Sequence, residues 1–191
     1  RGVPVEVVPG VTAGLAVSAA AGIPLTHRAD ASAVAFVTGH EDPTKDASAL
    51  DWDALSRVGT LCLYMGLGNL EQLAAELAAR RGKDLPAAVV EQGATPRQRT
   101  VAGTLADIAA KVKAAQLEAP ALVIVGETVR YRERLNFFER RALFGRRIVV
   151  TRAEVQSAGV AARLRALGAA VLRFPTIRVV PPADPRSLRE A

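Results

Sequence analysis

Apolar residues fall along the chain in alternating short runs and spaced stripes. "VPVEVVP" (3–9), "SAVAFVTGH" (32–40) and "TLCLYMG" (60–66) read as strands. The last of these is too continuously apolar to have a wet face. "AAVVEQ" (87–92), "QRTVAGT" (98–104), "PALVIVG" (120–126), "RRIVVTR" (146–152) and "AAVLRFPTI" (169–177) continue the series. Helical spacing lies between them. Residues 12–21 form a run of small residues. Asn69 stands where a cap belongs, before Leu70, Leu73, Ala74, Leu77 and Ala78 on one face, and Gly82 closes that helix. Thr104 and Asp107 have capping-box spacing ahead of a stripe of Leu105, Ile108, Ala109 and Val112. Residues 154–167 carry Val160, Leu164 and Leu167 on one side and end at Gly168.

This alternation predicts an α/β fold. The 98–104 run follows its neighbour too closely for a helical crossover, so the first sheet is expected to be mixed. Residues 41–50 read as a polar loop, and "ETVRYRERLNFFERR" (127–141) as a basic amphipathic segment. A new βαβ unit begins after "ALFG", which puts a domain boundary near 141–146 and a Pro-rich stretch at 179–185. The expected domains are therefore 1–141 and 146–191. The chain opens in mid-strand at Arg1 and ends in what reads as a starting helix, as a piece cut from a longer protein would.

Composition changes this picture little. Half of the 191 residues are apolar, which is enough for a sizeable core. No apolar run reaches membrane-spanning length. The net charge of +6 is not gathered into a basic block interleaved with aromatics, so nucleic acid is not an expected partner. The single cysteine, Cys62, reads as a buried inert thiol in a reducing, cytoplasmic compartment.

In an open α/β sheet, ligands bind beyond the carboxyl ends of the strands. Pro9–Ala13, Thr38–His40, Tyr64–Gly66, Gln92–Thr95 and Gly126 occupy such places, and several carry glycine. No P-loop or G-x-G-x-x-G spacing occurs, because "GVTAG" lacks the first tight pair and no lysine follows. His27 and His40 have no cysteine partners, so no metal is expected. Ser18, within a helix of small residues, reads as packing rather than a nucleophile.

The motifs "PGVT", "GIPLTHR", "YMG", "TPRQR" and "LNFFE" occur in that order over residues 1 to about 139. Together they resemble the C-terminal portion of the uroporphyrinogen-III C-methyltransferases, of the tetrapyrrole methyltransferase family. The remainder, from "LFGRRIVVTR" onward, is similar to the opening of uroporphyrinogen-III synthases. The expected architecture is thus a mixed-sheet methyltransferase lobe followed by the first βαβ unit of a synthase-like domain. The resemblance implies methyl transfer from S-adenosylmethionine to pyrrole carbons of uroporphyrinogen III, giving precorrin-2 on the way to sirohaem and cobalamin. It also implies a homodimer.

By the same resemblance, Thr12, Ala13, Met65 and Gly93 match cofactor contacts, and Arg28 a contact to a substrate carboxylate. Each has a plainer alternative. Thr12 can simply cap its helix, and Met65 can be strand-end core. Gly93 can serve the turn, and Arg28 can be a solvated loop residue. Arg97, Arg99 and His27 are weaker candidates, with "TPRQR" read chiefly as a turn and solvated charges. Arg130, Arg132 and Arg134 read as a solvated helix face, and Thr151 and Arg152 as facing a synthase-like cleft. No catalytic acid or base is identified. The family's glycine-rich loop and "GGD" segment are not in this sequence, so the chain is expected to be inactive alone. A non-catalytic nucleotide-binding module is the rival from another class.

Overall fold

The structure, a computed structural model, describes residues 2–39 and 50–180. The expectations for His40, for most of the 41–50 loop and for the end of the Pro-rich stretch lie outside these residues. The chain divides into two compact units, Arg1–Arg140 and Arg141–Ala191.

The first unit runs α1 (Ala13–Ala21), β1 (Val34–Thr38), α2 (Trp52–Ser56), β2 (Thr60–Tyr64), α3 (Leu70–Arg81), β3 (Pro86–Glu91), β4 (Arg99–Thr104), α4 (Ile108–Ala114) and β5 (Ala121–Val125). A 3-10 turn, Glu127–Tyr131, and the one-turn α5 (Arg132–Leu135) close it. Its five strands are ordered β1-β2-β5-β3-β4. Only β1 and β2 pair in parallel; β2 with β5, β5 with β3, and β3 with β4 are antiparallel. The sheet is mixed, as the short 92–98 connection requires.

Helices cover both faces, which is why the central strands are apolar without alternation. Cys62, Ala88, Val90, Leu122 and Ile124 meet Val17, Ala21 and Ile23, contributed by α1 and the loop after it. On the other face, Leu61, Leu63, Val89 and Val123 meet Leu73 and Leu77 of α3 and Ile108 and Val112 of α4. A Cβ on Gly14 would fall 2.3 Å from the Phe36 ring and 2.7 Å from the Tyr64 hydroxyl. This glycine therefore lets α1 rest directly on β1 and β2. Gly22, in the left-handed region at φ 70°, ends α1 with its N–H on the Ser18 and Ala19 carbonyls. Burial pushes the Cys62 thiol up to about 12, in keeping with an inert core cysteine.

The expected strand at 3–9 does not form. Val3, Val5, Val7 and Val8 are exposed and bonded into no sheet. An apolar run becomes a strand only when a neighbouring edge accepts its backbone groups, and none of the described residues offers one here. The expected cap of α3 also differs. Asn69 sits at the N-cap position but spends its side-chain amide on the Gly39 carbonyl, at 3.2 Å. The Thr104 to Asp107 reading holds in its reciprocal half: Thr104 N–H donates to the Asp107 carboxylate at 2.7 Å. The 127–141 segment is not one amphipathic helix but a 3-10 turn and a single helical turn.

In the second unit, β6 (Arg147–Val150) and β7 (Ala170–Arg173) pair in parallel and are joined by α6 (Glu154–Ala166), a βαβ unit. The expected stripe of α6 holds only at Leu164, which is half-buried. Val160 and Leu167 are exposed, and the helix instead buries Ser157 and Ala161. Small residues let the helix lie close to a two-stranded sheet, while among the described residues of this unit the larger side chains meet no second layer.

Candidate functional site

Because β5 is antiparallel to β2 and β3, its first residues lie at the same sheet end as the last residues of β2 and β3. Helix α1 also begins there. Ala13, Val17, Tyr64, Met65, Gln92 and Gly93, with the 119–122 segment, line a cavity of about 600 Å³. That volume lies in the range of small-molecule sites. The lining is mostly apolar, and Tyr64, Gln92 and Thr95 supply side-chain polar groups.

The backbone around this cavity is strained. Met65, Gln92 and Ala94 all adopt the left-handed region, at φ 54°, 51° and 59°. L-residues do so at a cost of about 1–2 kcal/mol each. Such conformations persist where surrounding structure enforces them, and they cluster at ligand sites. Met65 is 62% exposed, so it is not strand-end core, and it lines the cavity.

Gly93 is required sterically, since an added Cβ would fall 2.4 Å from the Val17 side chain. The neighbouring glycines act differently. A Cβ on Gly39 would fall 2.6 Å from the Gly66 Cα, so this pair brings two strand ends together.

Thr12 stands at the N-cap of α1 but makes no side-chain cap bond. Its hydroxyl instead hydrogen-bonds the Tyr64 hydroxyl, which also accepts the Gly14 N–H at 2.8 Å. Tyr64 thus pins the start of α1 to the end of β2, a role that the sequence reading missed. An aromatic with a polar tip, at the last position of an apolar strand, was the available signal. Ser18 packs as expected, its hydroxyl donating to the Leu15 carbonyl at 3.1 Å.

The cavity does not gather every candidate. Arg28 is exposed in the 27–31 turn, which abuts Gly59 at the opposite end of β2. A five-residue strand at about 3.3 Å per residue separates the two ends. His27 lies beside Arg28, with Nδ1 3.1 Å from the Asp30 carboxylate and its ring 4.5 Å from that of Tyr131. The Tyr131 hydroxyl donates to Asp30, and this acceptor raises the phenol above its ordinary range.

Arg97 reaches the Gln92 side chain at 3.3 Å. Arg99 is engaged too. It stands 3.2 Å from the buried Glu91 Oε2 and donates to the Ala115 and Gln116 carbonyls at the end of α4. Glu91 Oε2 has no hydrogen bond, so its compensation is Coulombic.

Arg132 is not on a solvated face. Its side chain is 13% exposed, ion-paired with Glu139 and bonded to the Ala21 carbonyl at 2.6 Å. Arg130 remains exposed and pairs locally with Glu127. In the second unit, Thr151 and Arg152 are exposed at the end of β6, and Arg152 donates to Gln156 at 2.9 Å. Among the described residues, no three His, Cys, Asp or Glu side chains are grouped to hold a metal ion, and no helix is long and apolar enough to cross a membrane.

Residues 1–109 match the family described as Tetrapyrrole (Corrin/Porphyrin) Methylases, more than half of the chain. The chain belongs to that family. It is similar to a siroheme synthase of Methylobacillus flagellatus, 50% identical over 141 residues, covering 72% of this chain and 30% of the relative. It is also similar to an S-adenosyl-L-methionine-dependent uroporphyrinogen III methyltransferase of Methanosarcina barkeri. That pair is 49% identical over 127 residues, covering 65% of this chain and 49% of the relative.

Among solved structures, the Thermus thermophilus uroporphyrin-III C-methyl transferase complexed with S-adenyl homocysteine matches with a TM-score of 0.56. It is 40% identical, over 68% of this chain and 53% of that one. The chain therefore spans between about a third and a half of these relatives' lengths. As a tetrapyrrole methylase it has the family's five-stranded mixed sheet, and the family match lies wholly in the first unit.

Proposed function

We propose that this chain is the C-terminal part of a uroporphyrinogen-III C-methyltransferase. It would hold S-adenosylmethionine in the cavity at the carboxyl ends of β2 and β3. The observation that supports this most is the convergence there of Ala13, Met65 and Gly93, with Thr12 tied in through Tyr64. The residues fit the group. An apolar cavity with a few fixed polar atoms suits adenine and ribose. The cofactor supplies an electrophilic sulfonium methyl. The chain's own residues bind and orient it, with Gly93 allowing close backbone approach and Met65 lining the cavity.

Arg28 is the proposed contact for an outlying carboxylate of uroporphyrinogen III, by bidentate pairing. The product would be precorrin-2, feeding sirohaem or cobalamin. The working assembly would be a cytoplasmic homodimer with no membrane, metal or nucleic-acid partner. We also propose that Arg141–Ala191 opens a uroporphyrinogen-III synthase; its parallel βαβ unit supports this. The chain alone is expected to catalyse neither reaction.

Calorimetric titration of S-adenosylhomocysteine into the full-length protein tests the cofactor assignment. Saturable binding that ATP and NAD do not displace is expected. Preference for ATP or NAD would favour the non-catalytic nucleotide module and overturn the proposal. Precorrin-2 formed above background by the 191-residue chain alone would refute its expected inactivity.

A further inference from the structure

The segments "TPRQR" and "LNFFE" contribute no lining residue beyond Thr95 to the cavity, yet they meet in one half-buried polar cluster around the buried Gln98. Glu139 accepts hydrogen bonds from Gln98 Nε2 at 2.8 Å, Thr100 Oγ1 at 2.7 Å, Asn136 Nδ2 at 3.3 Å, and Arg132. Gln98 is almost fully buried. Its Nε2 also faces the Ala20 carbonyl, at 3.5 Å. Its Oε1 accepts the Ala94 N–H at 2.8 Å. Ala94 is the left-handed residue next to Gly93.

These contacts leave the amide one orientation. An ionised carboxylate and a carbonyl only accept, so Nε2 must face Glu139 and Ala20. Oε1 is then forced toward Ala94. The reversed amide would set oxygen against oxygen at Glu139 and Ala20 and N–H against N–H at Ala94, with Gln98 itself almost fully buried. Burial by itself would raise the Glu139 carboxyl. The hydrogen bonds from Gln98, Thr100 and Arg132 outweigh that and hold it below the usual range, so it stays ionised at neutral pH.

We propose that Gln98 is a positioning residue that holds the Gly93–Ala94 edge of the cavity in its ligand-ready form, with Glu139 fixing the direction of the Gln98 amide. This rests on the cavity being the cofactor site. Through Glu139 the relay reaches Arg132, which also bonds the Ala21 carbonyl at the end of α1. The strained Ala94 backbone gives the relay its purpose. Gln98 Oε1 is the acceptor that holds the Ala94 N–H itself, while the Thr95 hydroxyl, on the Gln92 carbonyl at 2.7 Å, closes the turn around it.

The test compares Gln98→Met, Glu139→Gln and Thr100→Val in the full-length protein. Amide hydrogen exchange at Ala94 and affinity for S-adenosylhomocysteine are measured well below each variant's melting temperature. Gln98→Met and Glu139→Gln are expected to speed Ala94 exchange at least tenfold and to weaken binding about tenfold. Thr100→Val removes a different bond to Glu139 and is expected to lower the melting temperature while leaving affinity unchanged. Equal weakening in all three would show a merely structural cluster and overturn the proposal. So would unchanged Ala94 exchange, or faster exchange with wild-type affinity. Failure of the wild-type protein to bind S-adenosylhomocysteine would instead overturn the cofactor assignment, and the proposal with it.

Discussion

Strands β2, "TLCLY", and β6, "RIVV", are both short, apolar and paired in parallel with a neighbour, yet their burial is opposite. β2 is buried at its first four residues, whereas β6 is buried only at Val150. The difference lies in what surrounds them. β2 has a strand on each side and helices over both faces. Among the described residues of its unit, β6 has one strand and one helix, and Val149 and Leu172 are left 51% and 55% exposed. An apolar run records which surface is available for burial. Neighbouring layers decide whether it is used.

The sharpest way to break this contrast is Leu61→Ala in β2. Leu61 is fully buried, so the lost contacts and the cavity left behind should cost about 2–5 kcal/mol. Denaturant unfolding would measure that. Cys62 offers a parallel readout. Its thiol is pushed up to about 12 by burial, so it should resist labelling near pH 8 until the first unit opens. Labelling of native wild-type protein at the rate of a free thiol would contradict the buried assignment.

A smaller effect is expected for Gly14→Ala. The new methyl meets Phe36 and the Tyr64 hydroxyl, and overpacking of this kind costs about 1–3 kcal/mol. Affinity for S-adenosylhomocysteine in the full-length protein should fall as well, because α1 is lifted from the cavity edge.

Acid should act on the first unit through Glu139. Its folded-state carboxyl is held below the unfolded value of about 4.3. The contribution to stability is therefore complete above that value and lost as pH falls through the folded one. Midpoints measured from about pH 5 to pH 3 should decline, and Glu139→Gln should flatten part of the decline. Asp107, lowered chiefly by its hydrogen bond from Lys111, acts in the same direction and leaves a residual slope. The smallest effect belongs to Leu172→Ala in β7. More than half of that side chain is already in solvent, so a change within about 0.5 kcal/mol is expected. A loss comparable to that of Leu61→Ala would erase the distinction between the two strands.

The carboxyl-end rule placed Tyr64–Gly66 and Gln92–Thr95 at the sheet end that holds the cavity, but Gly126 lies at the other end, because β5 runs antiparallel to β2 and β3. Met65 and Gly93 were recognisable as ends of apolar strands marked by glycine, whereas Ala13 follows an apolar run that forms no strand; all three line one cavity. Tyr64 was hidden because its importance lies in bonds to Thr12 and Gly14, some fifty positions earlier in the chain. Arg132 was misread because its neighbours in sequence are charged, while its partners, Glu139 and the Ala21 carbonyl, are recruited by folding. Asn69 was misread for the same reason, since Gly39 competes for its amide.

The amino-acid pattern by itself determined the alternation of strands and helices, the mixed character of the first sheet and the place where the second βαβ unit starts. Those follow from local spacing and connection length, which the chain carries wherever it goes. Tertiary structure alone decided that the valines of 3–8 would stay unpaired and that α6 would bury Ser157 and Ala161 rather than Val160 and Leu167. It also turned Gln98 and Glu139 into one hydrogen-bonded relay. Burial and pairing are properties of two surfaces meeting, and a sequence states only one of them at a time.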